Sequence, residues 1–191
     1  MLREDAIFSW TRTKQFDGEE KTIKLSVRRM KVEDRSAVAE LEKECFAEPW
    51  SENAIAESLA DSNYVFFVVT KSQLPKSQSG ELELDQMEAK SDSEQVVGYV
   101  GAYLAVDELS ITNVAVFSSH RRYGVADGLM KALDLFATER NLYGITLEVR
   151  ISNDAAIALY EKNGYEKSGI RKGFYSKPKE DALIMWKYFQ Q

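Results

Sequence analysis

Within Leu109-Ser-Ile-Thr-Asn-Val-Ala-Val116 the large apolar residues stand at 109 and 111, then at 114 and 116. A strand turns successive side chains to opposite faces, so a uniform strand would part these two pairs. Two arrangements answer the change of parity. The strand is buried on both faces, or one extra residue near Thr112–Val114 forms a β-bulge that returns both pairs to the same side. The pattern weights the two equally. A bulge in a central strand leaves backbone N–H and C=O groups without sheet partners, and an extended ligand that carries amides can pair with them.

The rest of the chain surrounds that strand with alternating strand and helix signals, as expected for an α/β (α+β) domain with a mixed central β-sheet and helices on both faces. Leu25–Met30 reads as a strand. Asp34 is placed to cap a helix carrying Val38, Leu41 and Cys45–Phe46, and Ser51 to cap a second with Ile55 and Leu59 on its inner face. Tyr64–Thr70, Val96–Ala105, Glu108–Val116, Ile145–Arg150, Tyr165–Ile170 and Ala182–Tyr188 read as strands. Helices are expected over Tyr123–Glu139 and Asp154–Asn163, the second ended by Gly164. Residues 1–24 are polar and mixed in charge and read as an N-terminal extension, loosely attached, with Ile7, Phe8 and Trp10 available for docking; 25–191 form the domain proper. The stretch 71–95, dominated by Lys, Ser, Gln and Glu, reads as an exposed, flexible insertion.

At 191 residues the chain supports one sizeable core. A net charge of −6 gives no nucleic-acid footprint and suits a cationic partner. No apolar run is long enough for a membrane span and no secretory leader is apparent, so a cytoplasmic location is expected. The single cysteine, Cys45, excludes an intrachain disulfide and reads as a buried, inert thiol, and the single histidine, His120, as a surface residue.

Against that acidic background, Arg121-Arg-Tyr-Gly-Val-Ala126 lies directly between the irregular strand and the helix that follows. Gly124 and Ala126 allow a phosphate to approach the backbone, the first helical turn leaves N–H donors free, and Arg121 and Arg122 add charge. The loop has neither the Gly-Lys-Ser/Thr of a P-loop nor a GxGxxG dinucleotide fingerprint, so a pyrophosphate held at a helix start is the reading it supports. In Ile145-Thr-Leu-Glu-Val-Arg150 the apolar residues alternate, which turns Glu148 away from the core-facing side.

Asn113-Val-Ala-Val116, Arg121-x-x-Gly-x-Ala126 and Leu147-Glu-Val-Arg-x-Ser-Asn-x-Ala-Ala-Ile-Ala-Leu-Tyr-Glu161 together resemble the GNAT acetyltransferase superfamily. Phe46…Pro49-Trp50-Ser51-Glu52, Asn163-Gly-Tyr165, Arg171…Tyr175 and Glu180-Asp-Ala182 narrow the resemblance to its ribosomal-protein-alanine N-acetyltransferases, over roughly residues 25–187. The resemblance implies the GNAT fold, with splayed middle strands, and acetyl-CoA as co-substrate with no metal. It implies cofactor contacts from Val114, Ala115, Val116, Arg121, Arg122, Tyr123, Gly124, Val125, Ala126, Asp127 and Asn153. It makes Glu148 the general base for the incoming ammonium and Tyr160 the general acid for the departing thiolate. The implied acceptor is a protein N-terminus, that of a basic ribosomal protein, with neither nucleic acid nor membrane as partner. Lysine side chains or small amines as acceptors, and a non-catalytic acyl-CoA-binding module, are the alternatives. Arg121 stands where the family commonly has Gln, Ala126 where it has Gly, and Phe174 where it has the first of two tyrosines.

Overall fold

The computed structural model describes residues 7–16, 19–73 and 94–189. Eight strands form one sheet: β1 (Phe8–Phe16), β2 (Glu19–Arg29), β3 (Tyr64–Gln73), β4 (Gln95–Ala105), β5 (Glu108–Val116), β6 (Gly144–Arg150), β7 (Glu166–Ser176) and β8 (Lys179–Tyr188). Their order is β1-β2-β3-β4-β5-β6-β8-β7, and every neighbouring pair is antiparallel except β5–β6. The parallel pair needs a crossover, which α3 (Val125–Glu139) supplies. Helices α1 (Arg35–Cys45) and α2 (Glu52–Ala60) follow β2, and α4 (Asp154–Lys162) follows β6.

Strand alternation sorts the core into two layers. In β3, Val65, Phe67 and Val69 join Leu129, Leu133 and Phe136 of α3, whereas Phe66 and Val68 join Val38, Leu41 and Ile55 of α1 and α2. The sheet is therefore covered on both faces, as the alternation of elements requires.

The parity change in β5 is a bulge. Gly101 of β4 faces Asn113 and Ala102 faces Ile111, which leaves Thr112 as the extra residue. Leu109 and Ile111 before it, and Val114 and Val116 after it, all pack on the α3 side, while Ala115 is buried on the α1 side. The bulge also ends the pairing with β6, since only Glu108–Ile111 match Gly144–Leu147. Beyond Ile111, β5 stays with β4 and β6 stays with β8, so the two middle strands part.

The expected loosely attached extension is replaced, over residues 8–16, by a strand paired along β2 from Phe8↔Val27 to Phe16↔Glu19. β2 itself begins at Glu19, so the sheet runs unbroken across position 25. Ile7, Phe8 and Trp10 pack against the α3-side core. Of the expected insertion at 71–95, residues 71–73 end β3 and Gln95 opens β4, and 74–93 lie outside the described residues. Ser51 caps α2 through Ala54 N–H at 3.1 Å. Asp34 occupies the N-cap position of α1 without capping it. Its carboxylate is taken by the Arg28 guanidinium at 2.6 and 2.9 Å and by Lys31 N–H at 2.8 Å. Among the described residues no helix is long and apolar enough to cross a membrane.

Candidate active site

The chain leaves β5 through a short 3-10 turn at Ser118–His120 and reaches α3 through two left-handed residues, Arg122 (φ 68°) and Gly124 (φ 81°). Gly124 is the N-cap of α3 and, among the described residues, no side chain caps the helix, so the positive end of its dipole meets an open cleft of about 440 Å³. Val116, Arg121, Arg122, Gly124, Val125, Ala126 and Asp127 line the cleft, seven of the residues expected from sequence to contact a cofactor. Close packing beneath it depends on Gly98, where a Cβ would lie 2.5 Å from Val125 and thus force α3 off the strands.

Four expected residues stand apart from that cleft. Ala115 is turned into the α1-side core, and Val114 packs on the α3 side at the level where β5 and β6 part. Tyr123 is buried, and its carbonyl accepts Trp10 Nε1–H at 3.0 Å and Arg12 Nε–H at 3.3 Å. Asn153 caps α4, its Oδ1 accepting Ala156 N–H at 3.2 Å.

Glu148 lies just past the last β5–β6 pair, on the wall of the gap. Its Oε1 accepts from Arg171 at 3.0 Å, with the arginine side chain 59% exposed. A pair so exposed contributes about 0–1 kcal/mol, so Arg171 yields easily to another cation. Tyr175 donates to the Glu148 carbonyl oxygen at 3.1 Å and is stacked by the Arg150 guanidinium at 4.0 Å. Tyr160 of α4 is buried and edge-on to Tyr165 at 5.7 Å. Burial pushes its phenol well above the ordinary value, and nearby Tyr175 pushes it further, so Tyr160 stays protonated at physiological pH. Tyr175 therefore borders both residues that the sequence nominates.

Sequence reasoning missed five residues, four that line the cleft and one buried behind the irregular strand. Arg12 reaches the cleft from β1, and Ala155, Leu159 and Lys162 reach it from α4, with Lys162 paired to Asp127 at 2.7 Å. Glu42 is wholly buried at the end of α1, where Tyr99 Oη–H and Asn113 Nδ2–H (3.0 Å) donate to Oε1 and Trp50 N–H (2.7 Å) donates to Oε2. Asn113 is the residue beside the bulge, so Glu42 ties α1 and the start of α2 to the irregular strand. His120 also lines the cleft. Its Nε2 lies 3.2 Å from Lys71 Nζ, and burial, aided by Lys71, lowers its pKa and keeps it neutral. Cys45 is only half buried, its thiol directed at Val116 O.

A strand gap ending at an uncapped, arginine-lined helix start agrees with a sequence match. The model of the Acetyltransferase (GNAT) family covers residues 35–165. The chain belongs to the GNAT acetyltransferase family. GNAT enzymes use acetyl-CoA, and the glycine and arginines of the cleft suit its phosphates. The [ribosomal protein bS18]-alanine N-acetyltransferase of Escherichia coli (strain K12) is 30% identical over 154 residues, 80% of this chain and 89% of that protein. A Bacillus subtilis (strain 168) relative given the same name provisionally is 31% identical over 163 residues, 85% of this chain and 95% of its own length. The crystal structure of the Escherichia coli ribosomal-protein-S18-alanine N-acetyltransferase superposes with a TM-score of 0.69 at 27% identity, covering 87% of this chain and 95% of that one. Arabidopsis thaliana NAA60 in complex with acetyl-CoA shares the fold, with a TM-score of 0.69 over 86% of this chain and 98% of that one at 16% identity. This GNAT domain is thus an N-acetyltransferase with the eight-stranded mixed sheet described above.

Proposed function

We propose that the enzyme moves the acetyl group of acetyl-CoA to the N-terminal α-amino group of a protein. The acceptor in this reading is the N-terminal alanine of a basic small-subunit ribosomal protein, met in the cytoplasm, and attack occurs directly in a ternary complex. The observation that carries the reading is the gap between β5 and β6, with bulge amides on one wall, Glu148 on the other and the cationic cleft at one end. A pantetheine arm lying in the gap pairs its amides with the β5 backbone left free beyond Ile111, and its diphosphate meets the start of α3. The acidic chain attracts a basic ribosomal tail.

Glu148 takes a proton from the ammonium, directly or through a water, and the neutral amine attacks the thioester carbonyl carbon. Bulge N–H groups polarise that carbonyl; the C–S bond breaks, Tyr160 gives its phenolic proton to the sulfur, and the second proton of the acetylated nitrogen passes to the tyrosinate and restores the phenol. A carboxylate base suits an α-ammonium of pKa about 7.7–8.0, whose deprotonation costs about 3.5 kcal/mol less than that of lysine at about 10.4. Asn153 keeps its cap through Oδ1, so a contact to the cofactor would come from its amide nitrogen.

Two measurements test this. Thiol release is followed with an Ala-starting basic peptide, its N-blocked counterpart and a lysine-bearing blocked version. Release with the free N-terminus alone is expected, and acetylation of only the blocked peptides overturns the substrate assignment. Tyr160→Phe should lower kcat about tenfold or more while the melting temperature stays close to wild type, since the Tyr160 hydroxyl makes no hydrogen bond among the described residues. A full-rate Tyr160→Phe enzyme would remove the phenol from the mechanism.

A further inference from the structure

Residues 8–16 add a strand to the edge of the sheet, and that strand reaches the cofactor cleft. The indole of Trp10 lies on Gly128 so closely that a Cβ there would be 2.5 Å from the ring, and its Nε1–H holds the Tyr123 carbonyl at 3.0 Å. Arg12, two residues on and so on the same face of β1, donates through Nε to the same carbonyl at 3.3 Å. That bond fixes one edge of the guanidinium. Its terminal Nη2 is then set 3.4 Å from where a Gly124 Cβ would stand, directly over the N-cap of α3. Arg12 lines the cleft with Arg121, Arg122 and Lys162, while Asp127 is the one carboxylate among the described lining residues and is occupied by Lys162. Such a gathering of cations in a chain of net charge −6 is electrostatically costly unless an anion enters.

We infer that Arg12 binds the diphosphate of acetyl-CoA, so that the N-terminal strand is a working part of the cofactor site. The inference rests on the reading that this cleft takes the diphosphate. An arginine clamped by Nε on a backbone carbonyl presents its remaining N–H groups in one fixed direction, and such a pre-oriented fork suits phosphate oxygens. Its position over Gly124 selects the diphosphate at the helix start over the 3′-phosphate of the ribose.

The test is titration of CoA and of dephospho-CoA, which lacks only the 3′-phosphate, into the full-length wild type, Arg12→Gln and Arg12→Lys. The expected result is that Arg12→Gln binds both ligands about tenfold more weakly, the loss of one charge-assisted contact. Arg12→Lys should recover part of that loss, and the melting temperatures of the free proteins should agree. The KM for S-acetyl-pantetheine, which has no diphosphate, should be the same in all three proteins. Equal CoA affinity in wild type and Arg12→Gln overturns the inference while leaving the cleft as the cofactor site. Weaker binding of CoA with unchanged binding of dephospho-CoA overturns it too, by moving Arg12 to the 3′-phosphate. A raised KM for S-acetyl-pantetheine assigns Arg12 to holding the loop and likewise overturns phosphate contact. Failure of wild type to bind CoA at all removes the underlying reading.

Discussion

Glu148→Gln should lower kcat about a hundredfold or more at neutral pH and leave the affinity for CoA nearly unchanged. General-base catalysis contributes about 10²–10⁴ in rate, and the amide keeps the size and hydrogen-bonding reach of the carboxylate but cannot hold a proton. Stability should hardly move, because the ion pair lost with Arg171 is a surface one. The pH profile gives a sharper test than the rate at one pH. Without a base the enzyme depends on acceptor that is already neutral, so the variant's rate should climb towards the α-amino pKa of about 7.7–8.0 and its deficit should shrink above that value. An undiminished kcat at neutral pH would reject Glu148 as the base. A deficit that persists unchanged into alkaline solution would instead assign Glu148 to positioning the acceptor.

The legibility of this site followed from how local its signals are. The irregularity in β5 was readable because parity is a property of eight consecutive residues, but the pattern left a bulge and a strand buried on both faces equally open, and only the register with β4 decides for the bulge at Thr112. The loop at 121–126 was readable for the same reason: strand, basic loop and helix follow one another without interruption. β1 was not. In Phe8-Ser-Trp-Thr-Arg-Thr-Lys-Gln-Phe16 only positions 8, 10 and 16 are large and apolar, and an edge strand needs no more than that when it packs one face near one end. The polar start of β2, Glu19–Lys24, hides in the same way, since its backbone is paired with β1 and the sequence gives no sign of it. β7 extends from Glu166 to Ser176 with its side chains almost all exposed, so hydrophobic periodicity marked only its first residues. Asp34 was assigned by position alone, and Arg28 on β2 claimed the carboxylate that a helix cap would have used. Glu42 carried half a signal. It stands four residues after Val38, on the buried stripe of α1, but its partners Tyr99 and Asn113 lie 57 and 71 residues away.

That buried carboxylate carries the largest expected effect on stability. Glu42→Ala should cost about 3 kcal/mol or more, because Tyr99 Oη–H, Asn113 Nδ2–H and Trp50 N–H all lose their acceptor inside the protein. In a chain of this length such a loss lowers the melting temperature by about 6–12 °C. Glu42→Gln should fall between wild type and Glu42→Ala, since an amide offers one oxygen to donors that approach both carboxylate oxygens and turns its own N–H groups against the rest. The pH dependence has a definite sign. Burial raises the pKa of Glu42 above the ordinary carboxylate value, against the lowering effect of its three donors. Between the unfolded value and the raised folded value the native state therefore binds more protons than the unfolded one. The contribution is complete below the unfolded pKa and is lost as pH rises through the folded one. The stability gap between wild type and Glu42→Ala should accordingly widen on going from neutral pH down to about 4.5, and other titrating groups cancel in that difference. Chemical denaturation of the two proteins across this range measures it. A gap that narrows on acidification would mean that the three donors outweigh burial and hold Glu42 ionised in the native fold.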